Sequence, residues 1–544
     1  MNGAELFVRE LQQRELPFVA TLCGHGLDTL DAACRDAGLR LVDVRNEQAA
    51  GYMAEVTGRL TRRPGVCAVS SGVAHINALT GALNACFDGA PMLLVTGSGP
   101  THTIGMGHFQ DLDQVALAAP ICKYARLVDR AERIPQMLHE ALTAATTGRP
   151  GPVHLTLPMD VLTAEVQPDR IAHVPEPAAV HGAQPGNADL IAQAAALLAK
   201  AERPILIAGS GVYYAQGEEA LADFVRTFSV PIAVPIWDRG AVPEPLDEFM
   251  GVIGAATGGP RLLPDADLIL MAGARCDYRV GYLQPPAIRT DARIVRVDAD
   301  PVGLHQGVGA HLSIAGDPRA VLRQFVETGK SAVSPKAAWL QEAQSRRDAF
   351  RKQVLDTPRP NGDGLHALDI VDAVRSVLTD DTVLLVDGGN IGQWVHQVLC
   401  DRYPGHWLTC GASGVIGYGI PGAMAARLLY PDRPIILISG DGSLTFTPAE
   451  FETASRQNLG FVAIVADDQA WGIVLAGHQQ KFGEPITSQL GSIRFDLMAE
   501  AFGAQGVRIA RAGDLLPAIQ RALGSVQRPT LIHVPVVSSS PADR

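Results

Sequence analysis

Short apolar runs rich in β-branched residues recur along the chain, and each ends in glycine or aspartate. They are VCAVSSG (66–72), MLLVTGSG (92–99), PILIAGSG (204–211), LILMAGA (268–274), IVRVDAD (294–300), TVLLVDGG (382–389), PIILISGDG (434–442) and FVAIVADD (461–468). Alanine-rich stretches of helical character lie between them, such as ADLIAQAAALLAKA at 188–201. This alternation predicts an α/β fold in which parallel sheets are covered by helices on both faces.

Two stretches rich in proline and charge interrupt the alternation, at 166–187 and 328–363. We interpret them as linkers, the second of which contains a helix of its own. The chain is therefore predicted to form three doubly wound parallel-sheet domains, at 1–165, 188–327 and 364–544. A length of 544 residues is enough for about three to four domains, each with its own core.

Composition narrows the range of partners. The chain has 45 Lys and Arg against 57 Asp and Glu, a net charge of −12, and no basic stripe that could neutralise nucleic-acid phosphates. Its apolar runs are far shorter than the roughly 18 residues of a membrane-spanning helix, and the charged N-terminus does not resemble a secretory signal. We therefore expect a cytoplasmic protein without nucleic-acid or membrane partners. The eight cysteines are scattered without a CxxC pair, which argues against a zinc site or a disulfide framework.

Ligands of open parallel sheets bind beyond the carboxyl ends of the strands, so the residues that follow each strand are the candidates for ligand binding. After PIILIS come Gly440, Asp441, Gly442 and Ser443. Two glycines let backbone N–H groups converge on a phosphate, and a carboxylate can hold a hard cation beside it. A GDG triplet alone also fits a simple turn.

The next strand delivers Asp467 and Asp468 to the same sheet edge, with Asp468 lying 27 residues after Asp441. Two neighbouring strands that end in carboxylates suit a magnesium ion bridging to a diphosphate. The alternative is that Asp467 and Asp468 are solvated turn or N-cap residues.

A second loop ends the strand LVDV and begins a helix at Glu47, which places this carboxylate at a ligand-facing edge. A glutamate in a first turn also simply complements the helix dipole. Small residues then recur at helical spacing and form a stripe that lets something pack closely, at Ala50, Gly51, Ala54 and Gly58. A third loop, the glycine-rich 410–426, suits either a ligand or helix packing.

Taken together, Glu47, the GDGS loop and the paired acids resemble the thiamine-diphosphate-dependent enzymes of the acetolactate synthase and benzaldehyde lyase branch, over essentially the whole chain. That family consists of a pyrimidine-binding, a middle and a diphosphate-binding domain, in this order. The resemblance implies thiamine diphosphate and Mg²⁺ as cofactors and small carbonyl compounds as substrates. It also implies a homodimer as the smallest active unit, because Glu47 and Asp441 lie in domains that pair across a subunit boundary, and a homotetramer as a common assembly.

The resemblance also implies roles for individual residues. Glu47 is the catalytic glutamate that hydrogen-bonds the aminopyrimidine ring, and Asp441, Asp468 and the Ala470 carbonyl bind the metal. The family has a pair of asparagines where this chain has Asp467 and Asp468, which adds negative charge beside the diphosphate and leaves the metal affinity open. The implied cofactor-binding positions are Gly389, Asn390, Gly414, Ile416, Gly440, Asp441, Gly442, Ser443, Asp468, Trp471 and Gly472.

The chain resembles two sub-branches of this family that differ in their substrates. FQDLDQVALAAPICKYA (109–125) and QAWG (469–472) resemble benzaldehyde lyase, which implies that Phe109, Gln110 and Ile473 line the substrate cavity and that Gln110 is also catalytic. His25 in LCGHG is either a catalytic substitute for that enzyme's two histidines or an ordinary loop residue. RCDYRVG (275–281) resembles acetolactate synthase, where Arg279 matches the arginine that reads a 2-oxo acid carboxylate; otherwise Arg279 forms a surface salt bridge.

The implied activity is that of a carbon–carbon lyase or carboligase acting on 2-hydroxy ketones, aldehydes or 2-oxo acids through an enamine or carbanion intermediate. GVCAVSSGVAHINALTG (65–81) also resembles oxalyl-coenzyme A decarboxylase and the 2-hydroxyacyl-coenzyme A lyases, and the paired aspartates leave open a non-catalytic cofactor-binding paralogue. GSGVYY (209–214) and VDADP (297–301) in the middle domain resemble the edge of an FAD site. The middle domain lacks GxGxxG and many relatives carry no flavin, so FAD is the less favoured alternative, and the sequence leaves open whether this domain binds a nucleotide.

Overall fold

The computed structural model describes residues 1–171, 174, 183–254, 259–359, 364–398 and 401–539. Within these residues the chain forms three six-stranded sheets whose strands are all parallel. Crossover connections join successive strands, as parallel pairing requires; most contain α-helices, whereas those from β8 to β12 are loops and short 3-10 turns. The predicted α/β fold with doubly wound parallel sheets is confirmed.

The first sheet has the order β2-β1-β3-β4-β6-β5. Its strands are β1 (Val19–Leu22), β2 (Leu41–Asp43), β3 (Gly65–Val69), β4 (Met92–Ser98), β5 (Ala125–Leu127) and β6 (Pro152–Pro158). Its helices are α1 (Gly3–Gln13), α2 (Asp28–Asp36), α3 (Glu47–Thr61), α4 (Val73–Asp88), α5 (Gln114–Ala118), α6 (Ile134–Thr146) and α7 (Met159–Thr163).

The second sheet has the order β12-β11-β10-β7-β8-β9. Its strands are β7 (Pro204–Ala208), β8 (Ile232–Pro235), β9 (Phe249–Ile253), β10 (Leu268–Ala272), β11 (Arg293–Asp298) and β12 (Leu312–Ala315). Its helices are α8 (Ala188–Lys200), α9 (Ser210–Tyr214), α10 (Glu218–Phe228) and α11 (Pro318–Gly329), and α12 (Ala337–Leu355) follows.

The third sheet has the order β14-β13-β15-β16-β18-β17. Its strands are β13 (Val383–Asp387), β14 (Trp407–Thr409), β15 (Ile435–Gly440), β16 (Val462–Asp467), β17 (Gln505–Arg508) and β18 (Thr530–Pro535). Its helices are α13 (Ala367–Arg375), α14 (Gly389–Val398), α15 (Gly419–Leu429), α16 (Asp441–Leu444), α17 (Glu450–Arg456), α18 (Gly472–Phe482), α19 (Phe495–Ala501) and α20 (Ala512–Leu523).

Each of the eight predicted apolar runs contains a strand, and LVDV contains β2. The predicted helices at 188–201, after Glu47 and in the second linker are α8, α3 and α12. Much of the first linker (172–173 and 175–182), residues 360–363 of the second, Cys400 and the end of the third predicted domain (540–544) lie outside the described residues. None of the described helices is long and apolar enough to cross a membrane.

The stripe of small residues on α3 serves helix packing. A Cβ atom at Gly51 would lie 2.9 Å from the carbonyl oxygen of Ala78 on α4, and one at Gly58 would overlap the carbonyl oxygen of Pro91. On another side α3 packs against α15, which belongs to the third sheet. The close approach predicted from the small residues is therefore an approach of other parts of the same chain.

A buried charged cluster joins the three sheets of the described chain. The Arg59 guanidinium on α3 is fully buried and pairs with Glu55 at 3.4 Å and with Asp88 at 3.2 Å. It also donates a hydrogen bond to the carbonyl oxygen of Thr409 in β14, and the hydroxyl of Tyr213 on α9 donates to the Arg59 carbonyl oxygen at 2.7 Å. Because buried charges are costly unless paired, these contacts hold the three sheets in one arrangement.

Candidate active site

A cavity of about 310 Å³ opens at the carboxyl edge of the third sheet. There β13, β15 and β16 lie side by side, and the strand order reverses between β13 and β15. Loops diverge at such a switch point and leave a crevice for a ligand. The cavity wall includes every residue of this domain that the sequence assigned to cofactor, metal or substrate: Gly389, Asn390, Gly414, Ile416, Gly440, Asp441, Gly442, Ser443, Asp468, Ala470, Trp471, Gly472 and Ile473.

Two carboxylates meet in this wall. Asp441 begins α16 directly after β15, and Asp468 follows the last residue of β16. Burial, with repulsion from Asp468, raises the pKa of Asp441 to about 7. Burial, with repulsion from Asp467, raises the pKa of Asp468 to about 6. A hard divalent cation would relieve this repulsion, so the pair fits a magnesium ion.

Further metal ligands have to come from other donors. Among the described residues no group of three or more His, Cys, Asp and Glu side chains could hold a metal ion. Ala470, whose carbonyl oxygen the resemblance assigns to the metal, lies in the cavity wall with the two aspartates. Mg²⁺ is commonly bound by one or two carboxylates and completes its shell with phosphate oxygens and water. The donor set present therefore fits Mg²⁺ together with a diphosphate.

Glycines shape the floor of the cavity. Gly388 and Gly389 have φ values of +55° and +73° and form the turn between β13 and α14. A Cβ atom at Gly389 would lie 3.1 Å from the Cα atom of Gly440, so the two loops touch through their backbones. Gly414 has a φ of +69° and open space where a side chain would stand. Bare backbone in this arrangement leaves room for a phosphate to approach closely.

Asn390 offers an unused acceptor in the same wall. Its Nδ2 donates to the carbonyl oxygen of Ser539, whereas its buried Oδ1 has no hydrogen-bond partner among the described residues. A Cβ atom at Gly472 would lie 2.7 Å from Asp468 Oδ2 and 3.0 Å from the Asn390 Cβ, so the two side chains flank one glycine. Buried acceptors without partners are costly, and a bound ligand could satisfy this one.

The structure adds residues that sequence reasoning missed. Gln393 and His396 follow Asn390 on α14 and also line the cavity, and Trp237 reaches it from the middle sheet. Burial lowers the pKa of His396 to about 4. The helical spacing of Gln393 from Asn390 was a usable signal. No local signal marked Trp237, because its position depends on how two domains pack.

Asp387 at the end of β13 was also missed. Its carboxylate accepts hydrogen bonds from the backbone N–H groups of Gly417 and Gly419 at about 3.0 Å. Burial raises the pKa of Asp387 to about 7. Asp387 thus braces the glycine-rich loop 410–426 that carries Gly414 and Ile416, and this loop serves the cavity as well as the packing of α15.

The candidate residues of the first domain gather at the carboxyl edge of the first sheet. Glu47 begins α3, and its Oε2 accepts a hydrogen bond from Asn77 Nδ2 at 3.0 Å. The His25 ring contacts the Phe109 ring edge-on at 5.4 Å between centroids. Gln110 lines a second cavity of about 470 Å³.

Gln110 is further tied to the loop after β3. Its Oε1 accepts a hydrogen bond from Ser71 Oγ at 3.0 Å, and Ser70 Oγ donates to the His25 carbonyl oxygen at 2.8 Å. The structure therefore brings His25, Phe109 and Gln110 together. Neither these three residues nor Glu47 is part of the wall of the third-sheet cavity within the one chain.

Arg279 is a buried ion-pair partner rather than a surface salt bridge. It is 2% exposed, and its Nη1 donates to Asp238 Oδ1 at 2.6 Å and to the Ile236 carbonyl oxygen at 3.0 Å. Its Nε and Nη2 donate to the carboxylate of Asp277. The guanidinium is thus already neutralised by two aspartates, and it does not line the third-sheet cavity. The assignment of Arg279 as a carboxylate reader stays a prediction.

The loops at the crevice of the middle sheet are occupied by contacts within the protein. The strand order reverses between β7 and β10, but a Cβ atom at Gly209 would overlap Ala274, so the loops after these strands fill each other's space. The Ser210 N–H donates to Asp238 Oδ2 at 3.2 Å, and the Gly211 N–H donates to a backbone carbonyl at 2.9 Å. The N–H groups that would receive a phosphate are therefore already bonded within the protein.

Comparisons with known proteins agree with this layout. Three domain models match: the N-terminal thiamine pyrophosphate (TPP) binding domain of thiamine pyrophosphate enzymes over residues 1–117, their central domain over 191–325, and their C-terminal TPP binding domain over 387–534. The chain is 30% identical to the acetolactate synthase isozyme 1 large subunit of Escherichia coli, over 98% of this chain and 93% of that protein. It is 28% identical to the acetolactate synthase large subunit of Haemophilus influenzae, over 99% and 95%.

These matches define the class of protein: the chain belongs to the thiamine pyrophosphate enzymes and depends on this cofactor. Within that class it is an enzyme of the acetolactate synthase type.

Proposed function

We propose that the enzyme binds thiamine diphosphate with Mg²⁺ at the carboxyl edge of the third sheet and makes or breaks a carbon–carbon bond next to a carbonyl group. The observation that carries the proposal is the pair of buried carboxylates, Asp441 and Asp468, beside the bare glycine backbone of the same cavity wall. When bound, the cofactor supplies a nucleophilic carbon and an electron sink, while the protein supplies orientation and electrostatics.

The residues divide the remaining work. Asp441, Asp468 and the Ala470 carbonyl hold the metal, and the backbone at Gly389, Gly440 and Gly442 accommodates the diphosphate. Ile416 and Gly414 hold the pyrimidine end, and Trp471 covers the loop at Gly442, where a Cβ atom would overlap its ring. Glu47 places a proton on a ring nitrogen of the aminopyrimidine.

A second copy of the chain completes the site in this proposal. Glu47 lies outside the cavity of its own chain, and apolar side chains are exposed on the helix that carries its hydrogen-bond partner Asn77. On α4, which also carries the Asn77 partner of Glu47, the exposed side chains include Val73 at 62% and Ile76 at 50%. At the cavity, Ile473 is 43% exposed. Exposed apolar surface of this kind is typical of protein interfaces, so we propose a homodimer that brings Glu47 to the partner's cavity, and a homotetramer built from two such dimers.

The acetolactate synthases of Escherichia coli and Haemophilus influenzae support a 2-oxo acid as donor substrate. In that case Arg279 has to exchange Asp238 or Asp277 for the substrate carboxylate. The buried ion pairs of Arg279 and the apolar cavity residues Trp237 and Ile473 favour a second candidate, the benzaldehyde lyase type, whose 2-hydroxy ketone substrates carry no carboxylate. In both cases Phe109 and Gln110 line the substrate side, with His25 beside them.

In this proposal the middle domain contributes Trp237 to the thiamine diphosphate cavity but binds no flavin. Asp238 occupies the Ser210 N–H and the loops after β7 and β10 interlock, so we propose that the enzyme works without FAD.

Proton NMR of product mixtures tests the proposal. The full-length protein is incubated with thiamine diphosphate, Mg²⁺, pyruvate and benzaldehyde. Acetolactate or a mixed hydroxy ketone is expected for a 2-oxo acid donor, and benzoin for the lyase type. Glu47→Gln should abolish turnover while cofactor binding remains, because a glutamine amide can form a hydrogen bond but cannot transfer a proton to the ring nitrogen. An unchanged rate in Glu47→Gln, or no product from the wild type with cofactor bound, would contradict the proposal.

A further inference from the structure

The two adjacent aspartates of the proposed metal loop point in opposite directions. Asp468 lies in the wall of the third-sheet cavity together with Ala466 and Ala470, whereas Asp467 does not line it and is 4% exposed. Side chains alternate along a strand, so the last residue of β16 faces away from its predecessor. Asp467 is therefore a buried carboxylate beside the proposed metal site that is not placed to be a ligand.

Asp467 closes the turn that carries both of its neighbours in the cavity wall. Its Oδ1 accepts a hydrogen bond from the Gln469 N–H at 3.3 Å. Gln469 has a φ of +54°, a left-handed conformation that is unfavourable for a side chain of this kind. An aspartate that bonds the backbone two residues on stabilises such a turn. The position of Asp468 and Ala470 thus depends on where the Asp467 carboxylate is held.

His533 holds that carboxylate. It lies on β18, the neighbour of β16, and is 1% exposed. Its Nε2 is 2.8 Å from Asp467 Oδ2, and its Nδ1 is 3.3 Å from Asp496 Oδ1. Asp496 is paired in turn with Arg494, whose Nη2 lies 2.5 Å from Asp496 Oδ2. A chain of alternating acidic and basic groups therefore runs from the half-exposed Arg494 to the turn.

A buried carboxylate without a partner is costly, and a third acid beside Asp441 and Asp468 would repel a bound diphosphate. The hydrogen bond to His533 gives the buried Asp467 carboxylate a partner. It also keeps this carboxylate on the side of the sheet away from the cavity. The ring is also fixed by Phe495, which packs edge-on against it at 5.4 Å between centroids.

We propose that His533 and Asp467 are positioning residues for the metal-binding turn, acting through hydrogen bonds without touching metal or cofactor. Removal of His533 then weakens the binding of Mg²⁺ and thiamine diphosphate although the proposed ligands are intact. This inference rests on the proposed function, because it concerns the same cavity.

The test compares cofactor affinity in full-length variants. Binding of thiamine diphosphate at saturating Mg²⁺ is measured by isothermal titration calorimetry for the wild type, His533→Ala, Asp467→Asn and the double variant. We expect His533→Ala to lose affinity tenfold or more and Asp467→Asn to change it less than threefold, because the amide still accepts from Gln469. The double variant should bind within about threefold of Asp467→Asn, because no buried charge then needs a partner.

Two further variants separate this role from general destabilisation. His154→Ala removes another fully buried histidine, which bonds Thr96 at 2.8 Å in the first domain, and should lower the melting temperature without changing cofactor affinity. His533→Asn, which keeps one donor, should fall between wild type and His533→Ala and serves if the alanine variant does not fold.

The binding data distinguish failure of the positioning role from failure of the proposed function. If wild type binds the cofactor and the His533 variants bind equally well, or if the double variant is no better than His533→Ala, the positioning role is overturned while the proposed function stands. If wild type does not bind, the proposed function fails and this inference fails with it.

Discussion

If Asp441 and Asp468 bind Mg²⁺ as proposed, protons compete with the metal for both carboxylates, so cofactor affinity should depend steeply on pH. The pKa of Asp441 is raised to about 7 and that of Asp468 to about 6 in the metal-free protein. Both groups must be ionised to bind Mg²⁺. The fraction with both ionised is about 0.9 at pH 8 and about 0.05 at pH 6, so the apparent Mg²⁺ affinity should fall about 20-fold, or about 1.8 kcal/mol, over this range.

Asp468→Asn is the matched variant. It removes one titrating group and also the repulsion that helps to raise the pKa of Asp441. The fall in apparent affinity between pH 8 and pH 6 should therefore shrink to less than about 10-fold, the limit set by one group with a pKa near 7. The amide keeps one oxygen for the metal, so binding itself should survive.

Calorimetric titration of Mg²⁺ into each protein at saturating thiamine diphosphate, at pH 6, 7 and 8, measures this dependence. Titration of the cofactor itself affects both proteins alike, so the difference between wild type and variant isolates Asp468. A wild-type affinity that changes less than threefold between pH 8 and pH 6, or an equal fall in both proteins, would refute the reasoning.

The raised pKa values of Asp441 and Asp468 also determine how folding stability changes with pH. Both pKa values are raised in the folded state, so the stability they contribute is fully present below about pH 4 and is lost as the pH rises from there to about 6 to 7. The rise in melting temperature caused by Mg²⁺ and thiamine diphosphate should therefore be larger at pH 8 than at pH 6.

Three other predictions follow from the described contacts. Gly442→Ala should weaken cofactor affinity at least tenfold in calorimetry, because the added Cβ overlaps the Trp471 ring, whereas Gly513→Ala, with open space around it, should not. Ile76→Asp should shift the sedimentation profile toward monomer and lower activity, while Val302→Asp, which is more exposed but lies on the middle domain, should leave both unchanged. The purified enzyme should show no flavin absorbance near 450 nm and no heat of binding when FAD is titrated into it. Stoichiometric binding of FAD would contradict the proposal that the enzyme works without flavin.

Contiguous patterns carried the parts of the fold and site that the sequence predicted. An apolar run of five to seven residues is long enough to identify a buried strand, and the residues just after it lie at the ligand edge of a parallel sheet whatever the neighbouring domains do. For this reason Gly440, Asp441, Gly442 and Ser443 could be assigned to the ligand edge of the sheet from their own strand and turn, and the structure has them in the wall of the cavity there.

Strands that are short, or whose apolar run is interrupted by polar residues, carried too little signal. The seven-residue β6 and the six-residue β18, which contain His154 and His533, were not predicted. The four residues of β1 and the three residues of β5 and β14 are not long enough to show a period, and their strand character comes from pairing with neighbours. Trp237 was missed for a different reason: it reaches the cavity because the middle and third domains pack together, and no local pattern marks such a position.

The sequence by itself determined the class of fold and the family, and it predicted the residues that we propose to surround a diphosphate, because these depend on local backbone chemistry. Tertiary structure alone decided that Arg279 is buried between two aspartates, that Glu47 lies outside the cavity of its own chain, and that Asp467 turns to His533. Each of these features depends on groups that are far apart in sequence and meet only in the folded chain. A charge removed from water is costly unless it is paired, so its partner is an opposite group that the packing brings close.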